Sequence, residues 1–275
     1  MKSIFVTYVI VFSVFLSKGQ TKNHELLRKY EDSLTNYGKV IVNGNNALER
    51  QIAIYHFRNI LYRTLKTEGS FQYPFDSLIY ISILKSNDDK FRIFNWFLLK
   101  DDNTYKHFAI IHFKTEKGYN LIELEDCSDN IYNPEDTVLT ECWYGAHYYS
   151  LITCGKKKNS HYLLLGYDGN NSATNKKIIE VLSFKNEFPV FGGNVFKLKN
   201  EDSKTRWVFE YRKDVVMSLK YYPKKKMIIY DHLSPDNKDN EGFFMFYGPD
   251  MRYDGFKYKR GKWHVLEDLP LINEN

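Results

Sequence analysis

Asp231-His232 is the acid–base pair with the greatest chemical potential in the chain, and Ser234-Pro235 follows it closely. A histidine titrates nearest neutrality, so with an orienting carboxylate it can move protons for a nucleophile. Neighbours in a strand point to opposite faces, however, so Asp231 and His232 cannot orient one another unless the chain turns there. Ser234 lacks the strand–nucleophile–helix elbow that would expose its hydroxyl. The plainer reading is a loop in which Asp231 and Ser234 hold nearby backbone groups. Downstream, Tyr247-Gly248-Pro249-Asp250 and Tyr253-Asp254-Gly255 set two acids among aromatic rings. Paired carboxylates beside aromatics are the apparatus of glycoside hydrolysis. The weak catalytic candidates are therefore Asp231, His232, Asp250 and Asp254. Aromatic binding without chemistry needs less, and its candidates are Trp143, Tyr144, Tyr148, Trp207, Tyr247 and Tyr253.

Metal chemistry is poorly served. Asp168 and Asn170 resemble the start of a calcium loop, but Glu180 falls at the thirteenth position instead of the twelfth and the central glycine is missing. Asp168-Gly169 is also a strong hairpin turn. Asn237, Asp239 and Glu241 begin a similar series, with Gly248 where the closing acid belongs and Asp250 two residues late. His107 and His112, and His147 and His161, have no zinc-finger or HExxH spacing. No phosphate loop or dinucleotide fingerprint is present, and nothing calls for a cofactor.

The elements that must carry these residues are mostly strands. Glu141–Phe184 holds three apolar or aromatic runs separated by two polar turns, the pattern of an antiparallel meander. Further strands are expected at 78–84, 91–100, 105–114 and 119–124. After the meander they are expected at 195–198, 206–211, 215–221, 227–230, 243–247, 255–259 and 263–266. Residues 125–136 form a polar loop. The 22 Tyr and 20 Phe suit pleated, half-buried surfaces. The stretch from Ser150 resembles that from Ser218: each is a strand, a Lys-rich turn and a second strand. The fold class expected is mainly β, an antiparallel meander, irregular propeller-like or barrel-like, with two N-terminal helices.

Asn23 can cap a helix to about Tyr37, with Leu27, Tyr30, Leu34 and Tyr37 on one face and Gly38 ending it. Residues 39–44 then read as a linker or short strand. Asn46 with Glu49 makes a reciprocal cap for a second helix to about Lys66, whose stripe is Ala53, Ile54, Phe57, Ile60, Leu61 and Leu65. These helices are expected to pack on each other and on the β body, and no second apolar face is evident.

Lys2, the apolar run Ile4–Leu16 and the polar end Ser17-Lys18-Gly19 have the form of a secretory signal peptide cleaved before Gln20. The run is short for a membrane span, which takes about 20 residues. The expected domains are a signal peptide (1–19), a helical extension (20–70), a β domain (71–269) and a tail (270–275). The product is exported: periplasmic, associated with the outer envelope, or secreted. The net charge is +5, and Lys2 and Lys18 account for two, leaving +3. That bias is too weak for nucleic acid. Lys156–Lys158 and Lys224–Lys226 read as solvated turns or strand edges, where Lys discourages edge-to-edge pairing. Cys127, Cys142 and Cys154 are odd in number, so at least one is unpaired within the chain. A Cys142–Cys154 bridge would need a bend at Gly145, and buried free thiols are the favoured reading.

Phe91-Arg92-Ile93-Phe94-Asn95-Trp96, Trp143-Tyr144-Gly145-Ala146, Asp231-His232-Leu233-Ser234-Pro235 and Tyr247-Gly248-Pro249-Asp250 resemble segments of uncharacterised exported β-rich proteins of Bacteroidetes-type bacteria. The likeness covers about residues 75–265. It implies an envelope location and carries no residue role. The function expected is binding or structural, with an envelope protein, glycan or peptide as partner and no membrane span after signal removal. The alternative is a glycan or peptide hydrolase using the 231–254 loops.

Overall fold

A computed structural model describes residues 2–155, 160–198 and 203–270, with side chains from Lys22 onward. The side chains of the expected signal peptide, the Lys156–Lys158 turn and all but the first residue of the tail lie outside the described residues. The chain divides into two units, Met1–Ile81 and Ser82–Asn275.

The first unit is a helical hairpin. α1 spans Lys2–Asn43 and α2 spans Ala47–Lys66. α1 does not stop at Gly38. That glycine sits inside the helix, where an added Cβ would lie 3.1 Å from the Tyr80 Cβ, so its small size serves packing and not termination. Residues 39–43 are helical, not a linker, and the turn falls at Gly44, whose N–H bonds the Val40 carbonyl at 2.8 Å. Asn23 lies inside α1 and not at its start, and its amide donates to Glu68 Oε2. At the second helix the reciprocal cap forms: Asn46 Oδ1 accepts from the Glu49 N–H, and Glu49 Oε2 accepts from the Asn45 N–H. Residues 67–81 belong with the helices and not with the sheets. Phe71, Tyr73, Phe75 and Leu78 are buried, and Glu31 accepts from both the Tyr73 hydroxyl (2.6 Å) and the Ser77 N–H (2.7 Å). Of the strand expected at 78–84, only 82 onward pairs.

The second unit is mainly β. Its first sheet is the meander β1 (Ser82–Lys85), β2 (Phe91–Leu99), β3 (Tyr105–Thr115) and β4 (Gly118–Leu124). The second contains β5 (His147–Cys154), β6 (His161–Asp168) and β7 (Thr174–Lys185), extended by β8 (Phe188–Phe191) and β10 (Trp207–Arg212). The third is β11 (Leu219–Tyr222), β12 (Met227–Pro235), β13 (Tyr247–Lys259) and β14 (Lys262–Leu269), with β9 (Phe196–Lys197) at its edge. Among the described residues all strand-to-strand pairings are antiparallel except β9 with β14, and no closed barrel is found. The two sequence-similar stretches are the β5–β6 and β11–β12 hairpins, each of which opens a sheet.

The second sheet is the organising layer. Tyr162, Leu164, Ile178 and Leu182 face a core shared with Ile93, Ile111 and Phe113 of the first sheet. Leu163, Leu165, Ile179 and Val181 face a second core with Ile228, Phe256 and Trp263 of the third. Residues alternate faces along a strand, so burial on both sides requires an unbroken apolar run, as in Tyr162–Leu165.

The 125–146 loop is held to this layer. Cys127 and Cys142 form a disulfide with Cα atoms 5.9 Å apart, while Cys154 is a buried free thiol. This corrects the expectation of free thiols: the polar loop folds back, and the parallel bridge Asp126–Trp143 brings the two cysteines together. Arg206, fully buried, bonds Glu180 Oε2 at 2.8 Å and donates to the Pro134 and Thr137 carbonyls from the same loop.

Candidate functional site

The residues from Asp231 to Asp254 form one hairpin, made by the end of β12 and the start of β13. Its register breaks once. Asp231 pairs with Tyr253 and Leu233 with Pro249, so His232 alone opposes Asp250-Met251-Arg252. Extra residues on one strand force a bulge that re-aims side chains, and Met251 takes φ +70° within it. The bulge brings the acids to the histidine. His232 Nδ1 lies 2.7 Å from Asp254 Oδ2, and Nε2 lies 4.0 Å from Asp250 Oδ2.

Each acid is further bound. Asp254 Oδ1 accepts from the Asp268 N–H at 3.1 Å. Asp250 accepts from Arg252 Nε at 3.0 Å and from its Nη2, and Arg252 reaches Asp268 at 3.7 Å. Partial burial works to raise the Asp250 carboxyl, but the Arg252 hydrogen bonds and the His232 ring outweigh it and hold it below the usual carboxylate range. Asp231 points elsewhere: its Oδ2 accepts from the Ser218 N–H at 2.7 Å. Three of the four catalytic candidates therefore converge, and the sequence-adjacent pair Asp231-His232 does not.

The hairpin tip is apolar. Residues 243–246 run Phe-Phe-Met-Phe, with Phe243 61%, Phe244 45% and Met245 51% exposed. The tip is tied down by the Asp236 N–H on the Phe246 carbonyl, the Gly242 N–H on the Tyr247 hydroxyl, and the Phe244–Tyr247 ring contact at 5.3 Å. Residues 244–246 form a 3-10 turn in place of the strand expected at 243–247.

No protein family, curated protein or solved structure matches the chain. The reading of the site therefore rests on its geometry.

The aromatic candidates separate. Trp143, Tyr144 and Tyr148 are buried between the first and second sheets, with the Tyr148 hydroxyl on the Tyr144 carbonyl. The expectation that they form a ligand platform is corrected, because sheet stacking covers their rings. Trp207 packs against Phe209 and Phe256 under the Lys204 ammonium, 4.2 Å from the ring centre. Tyr247 and Tyr253 alone sit on the hairpin with His232, each half-buried.

The turns once compared with calcium loops use their oxygens locally. Asp168 Oδ1 accepts from the Asn170 N–H, Asn171 Oδ1 from the Ala173 and Thr174 N–H groups, and Asn237 Oδ1 from the Asp239 N–H. Glu180, the acid closing the first series, is bound to Arg206.

A second polar cluster has no signal in the sequence. His107, buried, lies between Asp126 Oδ2, 3.5 Å from Nδ1, and Asp168 Oδ1, 3.6 Å from Nε2. Asp126 also accepts from the His107 N–H and from the Ser128 N–H and hydroxyl. Burial works to raise the Asp126 carboxyl, but these partners outweigh it and bring it to about 2. At Asp168 burial prevails over His107 and the Asn170 N–H, and the carboxyl is pushed up. Positions 107, 126 and 168 come from β3, a loop and β6, so only their folding together reveals the cluster. No hydroxyl or thiol bonds the His107 ring among the described residues.

Proposed function

We propose that the protein is exported and works in the cell envelope as a binding protein, with the 231–254 hairpin as its contact element. The observation that carries this reading is the exposed Phe243-Phe244-Met245 tip standing on a base pinned by His232 and Asp254. Contiguous exposed apolar side chains on an ordered element favour burial against a partner. The bonded base limits the ordering cost of binding. An envelope protein or peptide suits this tip better than a glycan, because three of the aromatic candidates for stacking a sugar are buried. Export is supported by the charged and apolar start of the chain, by the resemblance to exported proteins, and by the Cys127–Cys142 bond, since such bonds persist in oxidising compartments.

The test has two parts. Protein recovered from fractionated cells is sequenced from its amino terminus, and a chain beginning at Gln20 in a non-cytoplasmic fraction is the expected result. Its co-sedimentation with isolated envelopes is then compared with that of a Phe243→Ser/Phe244→Ser variant. Loss of binding at unchanged stability is expected; undiminished binding removes the hairpin from the reading.

The hydrolase reading has one supporting observation, the 2.7 Å His232–Asp254 contact. A histidine–acid pair needs a nucleophile or an activated water on its other nitrogen. Here Nε2 faces Asp250, which Arg252 already engages. On the proposed reading no peptide or glycan hydrolysis is detected that His232→Gln removes.

A further inference from the structure

Helix α2 is apolar on two opposite faces. Its inner face buries Ala53, Ile54, Phe57, Leu61 and Leu65. On the outer face Leu48 is 66%, Ile52 52%, Tyr55 64% and Tyr62 40% exposed. With Asn59 and Lys66, both exposed, these residues recur at alternating steps of four and three. That is the seam of a coiled coil: Ile52, Asn59 and Lys66 take one core position, and Leu48, Tyr55 and Tyr62 the other. At about 100° per residue the seam lies some 150° around the helix from the buried face. The lone Asn59 is the kind of polar core residue that fixes register at some expense of stability. The sequence reading missed this face because two of its four apolar members are tyrosines.

We infer that α2 docks antiparallel against α2 of a second copy, making the protein a homodimer through its helical unit. Charge along the helix selects both the occupant and the direction. Glu49 lies beside the seam near the start, while Arg63 and Lys66 lie near the end. A parallel pair would set Lys66 against its own copy and Arg63 beside the second copy's Arg58. An antiparallel pair, with its two-fold axis near Phe57, sets Glu49 beside the second copy's Arg63, twice. It also places Ile52 on the second copy's Tyr62, and Tyr55 on its Asn59, whose amide can meet the phenol. Arg58 and His56, both near the axis, then meet their own copies. Glu49 bonds Asn45 through Oε2 alone among the described residues, which leaves Oε1 for the arginine. The seam exposes on the order of 400 Å² of apolar surface per copy. Two seams with their polar flanks reach the roughly 1,000 Å² that a specific interface requires.

Sedimentation equilibrium of the purified protein at micromolar concentration is expected to give twice the chain mass. An Ile52→Lys/Tyr55→Glu variant is expected to give the single-chain mass with unchanged circular dichroism, and a urea midpoint that, unlike the wild type's, does not rise with protein concentration. A monomeric wild type, or a dimer that survives both substitutions, overturns the proposal. Cross-linking provides an arm that leaves the seam intact. Residue 56 lies close to the two-fold axis, whereas the two copies of residue 48 would be about 27 Å apart. A short bismaleimide should therefore join His56→Cys chains and leave Leu48→Cys chains single. The reverse pattern, or no cross-link at either position, refutes the antiparallel pair.

Discussion

Gly145 and Asp126 show how closely single residues are fitted in this protein. A Cβ on Gly145 would lie 2.4 Å from the Asp126 carboxyl, and Asp126 supports both His107 and Ser128. Gly145→Ala should destabilise the fold by about 1–3 kcal/mol through overpacking, measured by urea unfolding. The pH dependence of Asp126 follows from its carboxyl being held at about 2 in the folded state. A carboxyl depressed on folding adds stability at pH values above its unfolded pKa and loses it as the pH falls toward the folded one. The contribution, about 2 kcal/mol, should therefore disappear between about pH 4 and pH 2, and Asp126→Asn should flatten that limb of the stability curve. At the hairpin, His232 and Asp254 were legible as residue types capable of proton transfer. Their partnership was not, because it depends on the bulge opposite His232. Asp254→Asn weakens one partly exposed, charge-assisted bond, and about 1 kcal/mol of stability should be lost in the same assay.

The elements most sensitive to change are the 125–146 loop and the strands it rests on. Arg206 and Glu180 are both fully buried, and removing one partner leaves a charge in an apolar interior. Arg206→Met should cost about 3–5 kcal/mol and exceed Glu180→Gln, because it also strips donors from the Pro134 and Thr137 carbonyls. Equilibrium urea unfolding of the two variants gives the order. The Cys127–Cys142 bond closes a loop with a sequence separation of 15. Its reduction should remove about 3 kcal/mol, read as a lower melting temperature in dithiothreitol that a Cys127→Ser/Cys142→Ser variant does not show. Strand positions were largely readable because β2, β3, β4 and β6 follow their apolar runs. The 67–81 segment was not, since its aromatic residues resemble a strand start and are claimed instead by Glu31 and the helices.

Across the whole molecule, the second sheet is apolar on both faces and joins the first and third sheets into one β unit. Among the described residues no helix is long and apolar enough to cross a membrane. Two histidines, His112 buried and His147 half-buried, set the unit's response to mild acid. Burial, with Arg92 nearby, lowers His112 to about 4, and burial, with His107 nearby, lowers His147 to about 4. Both are neutral in the fold and take up a proton on unfolding below about pH 6.5. Stability should thus fall as the pH drops from about 6.5 to 4, by up to about 3 kcal/mol for each histidine. His112→Gln and His147→Gln should reduce that slope in urea denaturation across the range.

What the sequence determined by itself was local: strands where apolar residues run or alternate, turns at Asp168-Gly169, and the Asn46–Glu49 cap. These depend on interactions within a few residues, so spacing is enough to read them. Tertiary structure decided the matters that bring distant segments together. The Cys127–Cys142 pair, the Glu180–Arg206 ion pair, the Asp126–His107–Asp168 cluster and the His232–Asp254 contact each need one backbone brought against another. Which aromatic rings are left for a ligand was decided the same way. Trp143 and Phe243 are alike as sequence symbols, yet sheet stacking buries the first and the hairpin carries the second into solvent.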